Sequence, residues 1–235
     1  MAIIKNMHYD YKQKLNKIDS FKNRNFQVPE IDWKLNEGMN IFIKQIAAPK
    51  LNPNQGVETS QRSIDSIRPL IIKNLPLTPV KSETDPTLYS VSLPTDYMHH
   101  LSSTVSCKKA ACTANVRTTM MQHDDKEDLF YGPSFEWREI MMQFSGGSII
   151  LKTDGTFTVE KVFLTYIKLP KYMHNAADFV GGNYTLPDGT VLTGIQDCEL
   201  PVDTLSEIVD IAVLITTGDL LSSYQLKQSK LQITN

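Results

Sequence analysis

Apolar positions recur at helical spacing near both ends of the chain and alternate with polar ones through its middle, so helices are predicted to enclose a β-rich centre. From Tyr9 to about Phe21 the sequence is Lys-rich and helix-compatible, and Val28-Pro29-Glu30 then interrupts it. Asp32 to Ala48 sets Trp33, Ile41, Ile43 and Ile46 among Lys34, Glu37 and Lys44, which predicts a second helix ended by Pro49, because proline cannot continue the backbone ladder. Asn52-Pro53-Asn54-Gln55-Gly56 is turn chemistry. Thr59 to Arg68 then places Ile64 and Ile67 at helical spacing before Pro69 and predicts a third, short helix.

After Asn74 the character changes. Pro76, Pro79, Pro86 and Pro94 punctuate short runs such as Leu88-Tyr89-Ser90-Val91-Ser92-Leu93, which alternates like a half-buried strand. Ser102 to Met121, rich in Thr, Val, Ser and Ala, suits one or two strands joined near Lys108 to Cys112. His123 to Asp128 is a charged surface stretch. Around Asp154-Gly155, β-branched and aromatic residues flank a pair suited to positive φ, which predicts a hairpin from Ser148 to Lys168. Val162, Phe163, Leu164, Tyr166 and Ile167 make its second strand apolar on both faces, as expected of a central strand. Gly181-Gly182 to Gly189 reads as a loop, with room for one more hairpin.

Thr204-Leu205-Ser206-Glu207 has the pattern of a capping box, and Leu205, Ile208, Val209 and Ala212 follow at helical spacing toward Gly218. Asp219 to Gln232 resumes as a more polar amphipathic segment with Leu221, Tyr224 and Leu231, suited to a final helix or a partner-docking tail.

Composition narrows the classes. A chain of 235 residues with 41% hydrophobic and 21% charged residues can bury a sizeable core without staples. Its 24 basic and 26 acidic residues nearly cancel, so tight nucleic-acid binding through a basic surface is not expected. Cys107, Cys112 and Cys198 leave at least one thiol unpaired and make no Cys-x-x-Cys pair, which points to a reducing compartment. No signal-peptide core and no membrane-length apolar run is read, so a soluble protein made in the cytoplasm is expected.

Candidate chemistry is sparse. His99, His100, His123 and Asp124 offer metal-ligand types, but adjacent histidines cannot both face one ion from a regular strand or helix. Cys107 and Cys112 lie beside Lys108 and Lys109, which could lower a thiol pKa, yet no histidine is tied to either and packing is the favoured role. Gly146-Gly147 and Gly181-Gly182 lack the residues of a phosphate loop and read as turns. Asp124 with Asp125, and Glu136 with Glu139, read as surface carboxylates. Phe130, Tyr131, Phe135 and Trp137 read as core or interface aromatics. No catalytic, cofactor-binding or metal-ligating residue is assigned.

Three segments carry a resemblance. Leu93-Pro94-Thr95-Asp96-Tyr97-Met98 is similar to a Leu-Pro-x-Asp-Tyr-Leu segment, Phe163 to Pro170 to a strand ending in Thr-Tyr-Ile-x-x-Pro, and Leu200 to Ala212 to the C-terminal helix of one group. The group is the head-to-tail ring or adaptor proteins of short-tailed bacteriophages, the tail tubular protein A family, most closely those of crAss-like phages. The stretch from Val28-Pro29-Glu30-Ile31-Asp32-Trp33 to Arg68 also resembles crAss-like phage virion proteins.

The resemblance implies an α+β fold in which residues 1–74 and 200–235 form one helical, ring-forming unit. Residues 75–199 would be an inserted antiparallel β-sandwich or barrel-like domain. It implies a structural virion protein of the tail and neck region and not an enzyme. Copies would stack below the portal in a ring of on the order of twelve subunits. Expected partners are the portal, neighbouring ring or tail proteins, and genomic DNA sliding through the lumen without specific binding; no cofactor and no membrane are implied. Two other classes compete: a metal-dependent hydrolase built on His99, His100, His123 and Asp124, and a carbohydrate-binding virion module using Trp137 and Tyr131.

Overall fold

The structure is a computed structural model that describes residues 3–18, 26–47, 65–121 and 132–218. The chain divides into two compact units, residues 70–169 and residues 1–69 with 170–235. The fold therefore has helices and a large curled sheet, an α+β composition.

Residues 70–169 form an eight-stranded sheet. Its strands are β1 (Ile71–Leu77), β2 (Val80–Lys81), β3 (Leu88–Ser92), β4 (Tyr97–Lys109), β5 (Cys112–Met120), β6 (Glu139–Ser145), β7 (Ser148–Lys152) and β8 (Thr158–Lys168). They are ordered β1-β8-β4-β5-β6-β7-β3-β2. Alternation decides which side faces the core. Val105 and Cys107 of β4 point inward with Val116, Ile140, Met142, Ile149, Leu151, Val162 and Leu164, while Arg117 and Thr119 of β5 stay exposed. β4 and β5 are a hairpin closed at Lys109 and Cys112, with Ala110 at φ 54. β8 lies between β1 and β4, as its two apolar faces require.

Two expectations change here. The sheet is mixed, because β5 and β6 run parallel. The hairpin across Asp154-Gly155 does not form: β7 pairs with β6 and β3, whereas β8 pairs with β1 and β4. The turn residues behave locally as their chemistry requires, with Gly155 at φ 79 and Asp154 Oδ1 accepting from the Thr156 N–H at 2.8 Å. Thr153, however, is tied to the Thr87 carbonyl through both its N–H and its hydroxyl, at 2.9 Å each, and Phe157 is buried, so the connection leads away from β7. The tight hairpin sits one turn earlier. Gly146 (φ 53) and Gly147 (φ 80) join Ser145 to Ser148, and two consecutive positive φ values are what a two-residue hairpin turn needs.

The other unit holds α1 (Ile3–Ile18), α2 (Val28–Ala47) and α3 (residues 205–218), with four short strands β9 (His174–Asn175), β10 (Asn183–Thr185), β11 (Val191–Thr193) and β12 (Ile195–Gln196). β10 and β11 form the hairpin anticipated after Gly182, and β12 pairs with β9. Residues 170–199 thus group with the helices and not with the sheet, thirty residues away from the expected second boundary (200 − 170). The reason is α2, whose Asn36 and Asp32 bind the backbone of residues 173–175.

Val28-Pro29-Glu30 opens α2 instead of breaking a helix. Proline costs nothing in the first turn, where its missing N–H would be unpartnered, and Glu30 reaches back to the Gln27 N–H at 2.8 Å. α1 begins earlier than expected, its Ile4 N–H donating to Asp197 Oδ1 at 2.9 Å. α3 is preceded by a 3-10 turn, Val202–Thr204, and the Thr204 hydroxyl donates to the Pro201 carbonyl at 2.8 Å. The helices meet along Ile4, Met7, Tyr11 and Leu15 of α1, Ile31, Leu35, Met39 and Ile43 of α2, and Ile208, Val209 and Ala212 of α3, all buried. Of the expected third helix, residues 65–67 are helical and pass into a 3-10 turn at Arg68–Leu70. The rest of it, the 123–128 stretch and the tail from Asp219 lie outside the described residues.

Candidate functional site

The densest polar cluster surrounds Asp32, which is fully buried on α2. A buried carboxylate is costly unless donors surround it. Asp32 receives the Tyr184 hydroxyl on Oδ2 at 2.7 Å, the Asn175 N–H at 3.1 and 3.3 Å, and stands 2.7 Å from His8 Nε2. These donors come from β10, β9 and α1, so one side chain ties three elements to α2. One helical turn on, Asn36 accepts from the Met173 N–H at 3.0 Å and donates to the Met173 carbonyl at 2.7 Å, copying a strand's pairing with a side chain.

Tyrosines frame the cluster. Burial, the Asp32 hydrogen bond and the Asp32 charge together push the Tyr184 phenol far up. Burial first, and then the Asp32 charge, pushes Tyr172 up to about 12. Its hydroxyl is buried near Tyr184 and Asn36 but makes a well-formed hydrogen bond to neither. Above the cluster, two open clefts of about 370 and 410 Å³ share Trp33 and Tyr172 as lining residues. Trp33 is 53% exposed.

The residues singled out from sequence are dispersed. His100 Nε2 lies 3.1 Å from the Ser103 hydroxyl, its ring edge rests on Phe144, and burial lowers its pKa. His99 sits beside it on β4 with a buried Nε2 that has no hydrogen-bond partner. His123, Asp124, Asp125, Phe130 and Tyr131 lie outside the described residues. Among the described residues no three His, Cys, Asp or Glu side chains converge as a metal site would require.

Cys107 points into the sheet core, and burial, then the Glu160 charge, raises its thiol to about 12. Cys112 is exposed at the end of the β4–β5 hairpin, and Cys198 is buried with Sγ 3.8 Å from Met39 Sδ. Glu139 accepts from the Thr119 hydroxyl at 2.6 Å, and Glu136 is exposed. Phe135 packs on Phe157 at 5.9 Å with Lys109 Nζ over its ring, whereas Trp137 is 84% exposed.

Two of the segments that carry the resemblance touch. Tyr166 donates to Asp96 Oδ1 at 2.8 Å, and the Leu169 N–H donates to the Asp96 carbonyl at 2.6 Å. Tyr97 stacks between Tyr166 and Phe144, with centroids 5.7 and 5.9 Å away. The third segment belongs to the other unit, as α3.

Sequence reasoning missed Asp32 and Asn36 as a pair. Their signal was positional: polar side chains at i and i+4 flush with the stripe of Ile31, Leu35 and Met39. No helix among the described residues is long and apolar enough to cross a membrane. No protein-family model matches the chain, and no curated protein is significantly similar to it.

Proposed function

We propose that this chain is a structural subunit of a head-to-tail connector, one copy of a ring that joins a phage capsid to its tail and lets DNA pass. One observation carries the reading: helices from opposite ends of the chain pack into a single unit, with the sheet inserted in the sequence between them. Tyr11 donates to Thr216 Oγ1 at 2.7 Å, since the Thr216 hydrogen is spent on the Ala212 carbonyl at 2.9 Å. Lys14 Nζ pairs with Asp210 at 2.6 Å, and Gly38 lets α2 approach the α3 backbone. A helical unit drawn from both ends of the chain is one feature that the resemblance leads one to expect.

Further support comes from the surface. Trp33, Val202 and Leu214 of the helical unit are more than half exposed, which leaves apolar side chains available for contacts between copies. A formal charge of -2 suits a conduit, because a strongly basic lumen would retain the duplex. Native mass spectrometry and negative-stain microscopy of the purified protein test the reading. The expected result is a closed ring of on the order of twelve copies, and protein sequencing of virions should find the chain there. A strictly monomeric protein absent from particles rules it out.

A further inference from the structure

Four aromatic side chains, Phe26, Trp33, Tyr172 and Tyr184, line the cleft of about 370 Å³, a volume in the range of small-ligand sites. Phe26 precedes α2, Trp33 lies on it, Tyr172 precedes β9 and Tyr184 lies on β10, all within the helical unit. Tyr184 is buried, whereas Trp33 is open to solvent. The charged residues of the lining are Glu30 and Lys34.

An aromatic face is electron-rich, and a cation set among several rings is held by them; quaternary ammonium groups are recognised in this way. The Tyr184 hydroxyl donates to Asp32 Oδ2 at 2.7 Å, a bond to a carboxylate that pushes electron density into its ring.

The charges around the cleft favour the same kind of ligand. Lys34 Nζ is paired with Glu37 Oε2 at 3.0 Å. Asp32 lies beneath, with His8 Nε2 at 2.7 Å. Among the described residues, Lys34, His8 and the half-charge of the α2 N-terminus stand against Glu30, Asp32 and Glu37, so the balance is negative even with His8 charged. Lys44 lines the neighbouring cleft and lies about 16 Å along the helix from Trp33, beyond the screening length of about 8 Å. Such a lining disfavours phosphates and carboxylates. A bare metal ion is not favoured either, because no three ligating side chains converge among the described residues.

We propose that this cleft binds a quaternary ammonium group, seated on Trp33 and Tyr172 with Glu30 as its counter-charge. A primary ammonium is strongly hydrated and rings return little of that hydration, so the alkylated head group fits better. The site lies within one unit of one chain, so it holds whether or not copies assemble into a ring.

Choline is the probe, and 3,3-dimethyl-1-butanol is the neutral compound of the same shape. Both are titrated into the full-length protein by ligand-observed NMR. Choline is expected to bind about tenfold more tightly, a ratio within the reach of cation–π contacts. Trp33→Leu keeps an apolar side chain without a ring and should weaken choline about tenfold. Glu30→Gln keeps an acceptor for the Gln27 N–H and should weaken it about threefold, whereas Lys34→Gln should strengthen it about threefold, the size of one screened charge. Circular dichroism melting checks that each variant is folded. In protein carrying Trp137→Phe the remaining indole is Trp33, and its emission should change saturably with choline. Blocked trimethyl-lysine separates two sources of the head group: affinity equal to that of choline assigns a free small molecule, and a gain of about tenfold assigns a side chain of a partner protein. No saturable choline binding, equal binding of the neutral compound, or choline binding untouched by Trp33→Leu and Glu30→Gln overturns the proposal.

Discussion

Tyr166 donates its phenolic hydrogen to Asp96 Oδ1 across 2.8 Å, joining residues 70 apart in sequence. Asp96 ends the loop before β4 and Tyr166 lies near the end of β8, where the Leu169 N–H also closes on the Asp96 carbonyl. The contact therefore fixes where the long β4–β8 pairing stops. A hydrogen bond to a charged acceptor contributes about 1.5–3 kcal/mol. Tyr166→Phe should lower unfolding stability by that order, and Asp96→Asn by a similar amount. In a double-mutant cycle followed by urea unfolding, the double variant should lose clearly less than the sum of the two.

Gly38 marks the closest helix crossing. A Cβ there would stand 2.8 Å from the Ile208 carbonyl oxygen and 3.1 Å from the Ala212 nitrogen, both backbone atoms that cannot turn aside. Helix propensity favours alanine by about 1 kcal/mol, but overpacking costs about 1–3 kcal/mol and more where backbone must shift. Gly38→Ala should therefore lower the melting temperature. Gly132→Ala, which meets nothing within 4 Å, should leave it unchanged.

Asp32 should be the least replaceable polar residue of the helical unit. Asn in its place removes the charge that holds the Tyr184 hydroxyl, the Asn175 N–H and the His8 ring together, and forces the His8 ring nitrogen to change from donor to acceptor. Removing one partner of a buried charged cluster costs about 3–5 kcal/mol. Tyr184→Phe removes one donor and leaves the carboxylate two, so a smaller loss, about 1–3 kcal/mol, is expected. Chemical denaturation monitored by circular dichroism orders the two, and an equal or reversed ranking contradicts this account.

How far the sequence foretells these relationships depends on range. β3 and the β4–β5 hairpin were legible because alternation and a short turn are local. The partners of β8 were not, since Val162 and Leu164 show that a strand is covered on both faces without naming β1 and β4 as its neighbours. Asp154-Gly155 misled for the same reason: its turn chemistry is real, and Thr87, far away in sequence, decides where the chain goes next. Asp32 looks like any polar residue beside Glu30 and Lys34 until α1, β9 and β10 close over it.

Alkaline pH should loosen both units, each through its own tyrosines. Tyr166 is raised to about 12, chiefly by burial and then by its bond to Asp96, and Tyr172 to about 12, chiefly by burial and then by the Asp32 charge; Tyr184 is raised as well. Cys107 adds a thiol raised to about 12 by burial. In each case the folded state holds its proton more tightly than the unfolded chain, whose phenols titrate near 10 and thiols near 9. The unfolded state thus releases protons first, and stability falls as pH rises. These contributions are complete below about 9 for Cys107 and about 10 for the phenols, and are lost as pH climbs toward about 12. Melting temperature measured across that window should decline steadily. Tyr166→Phe should flatten the decline for the sheet unit and Tyr184→Phe for the helical unit, whereas a decline that neither change alters would mean that these phenols do not carry it.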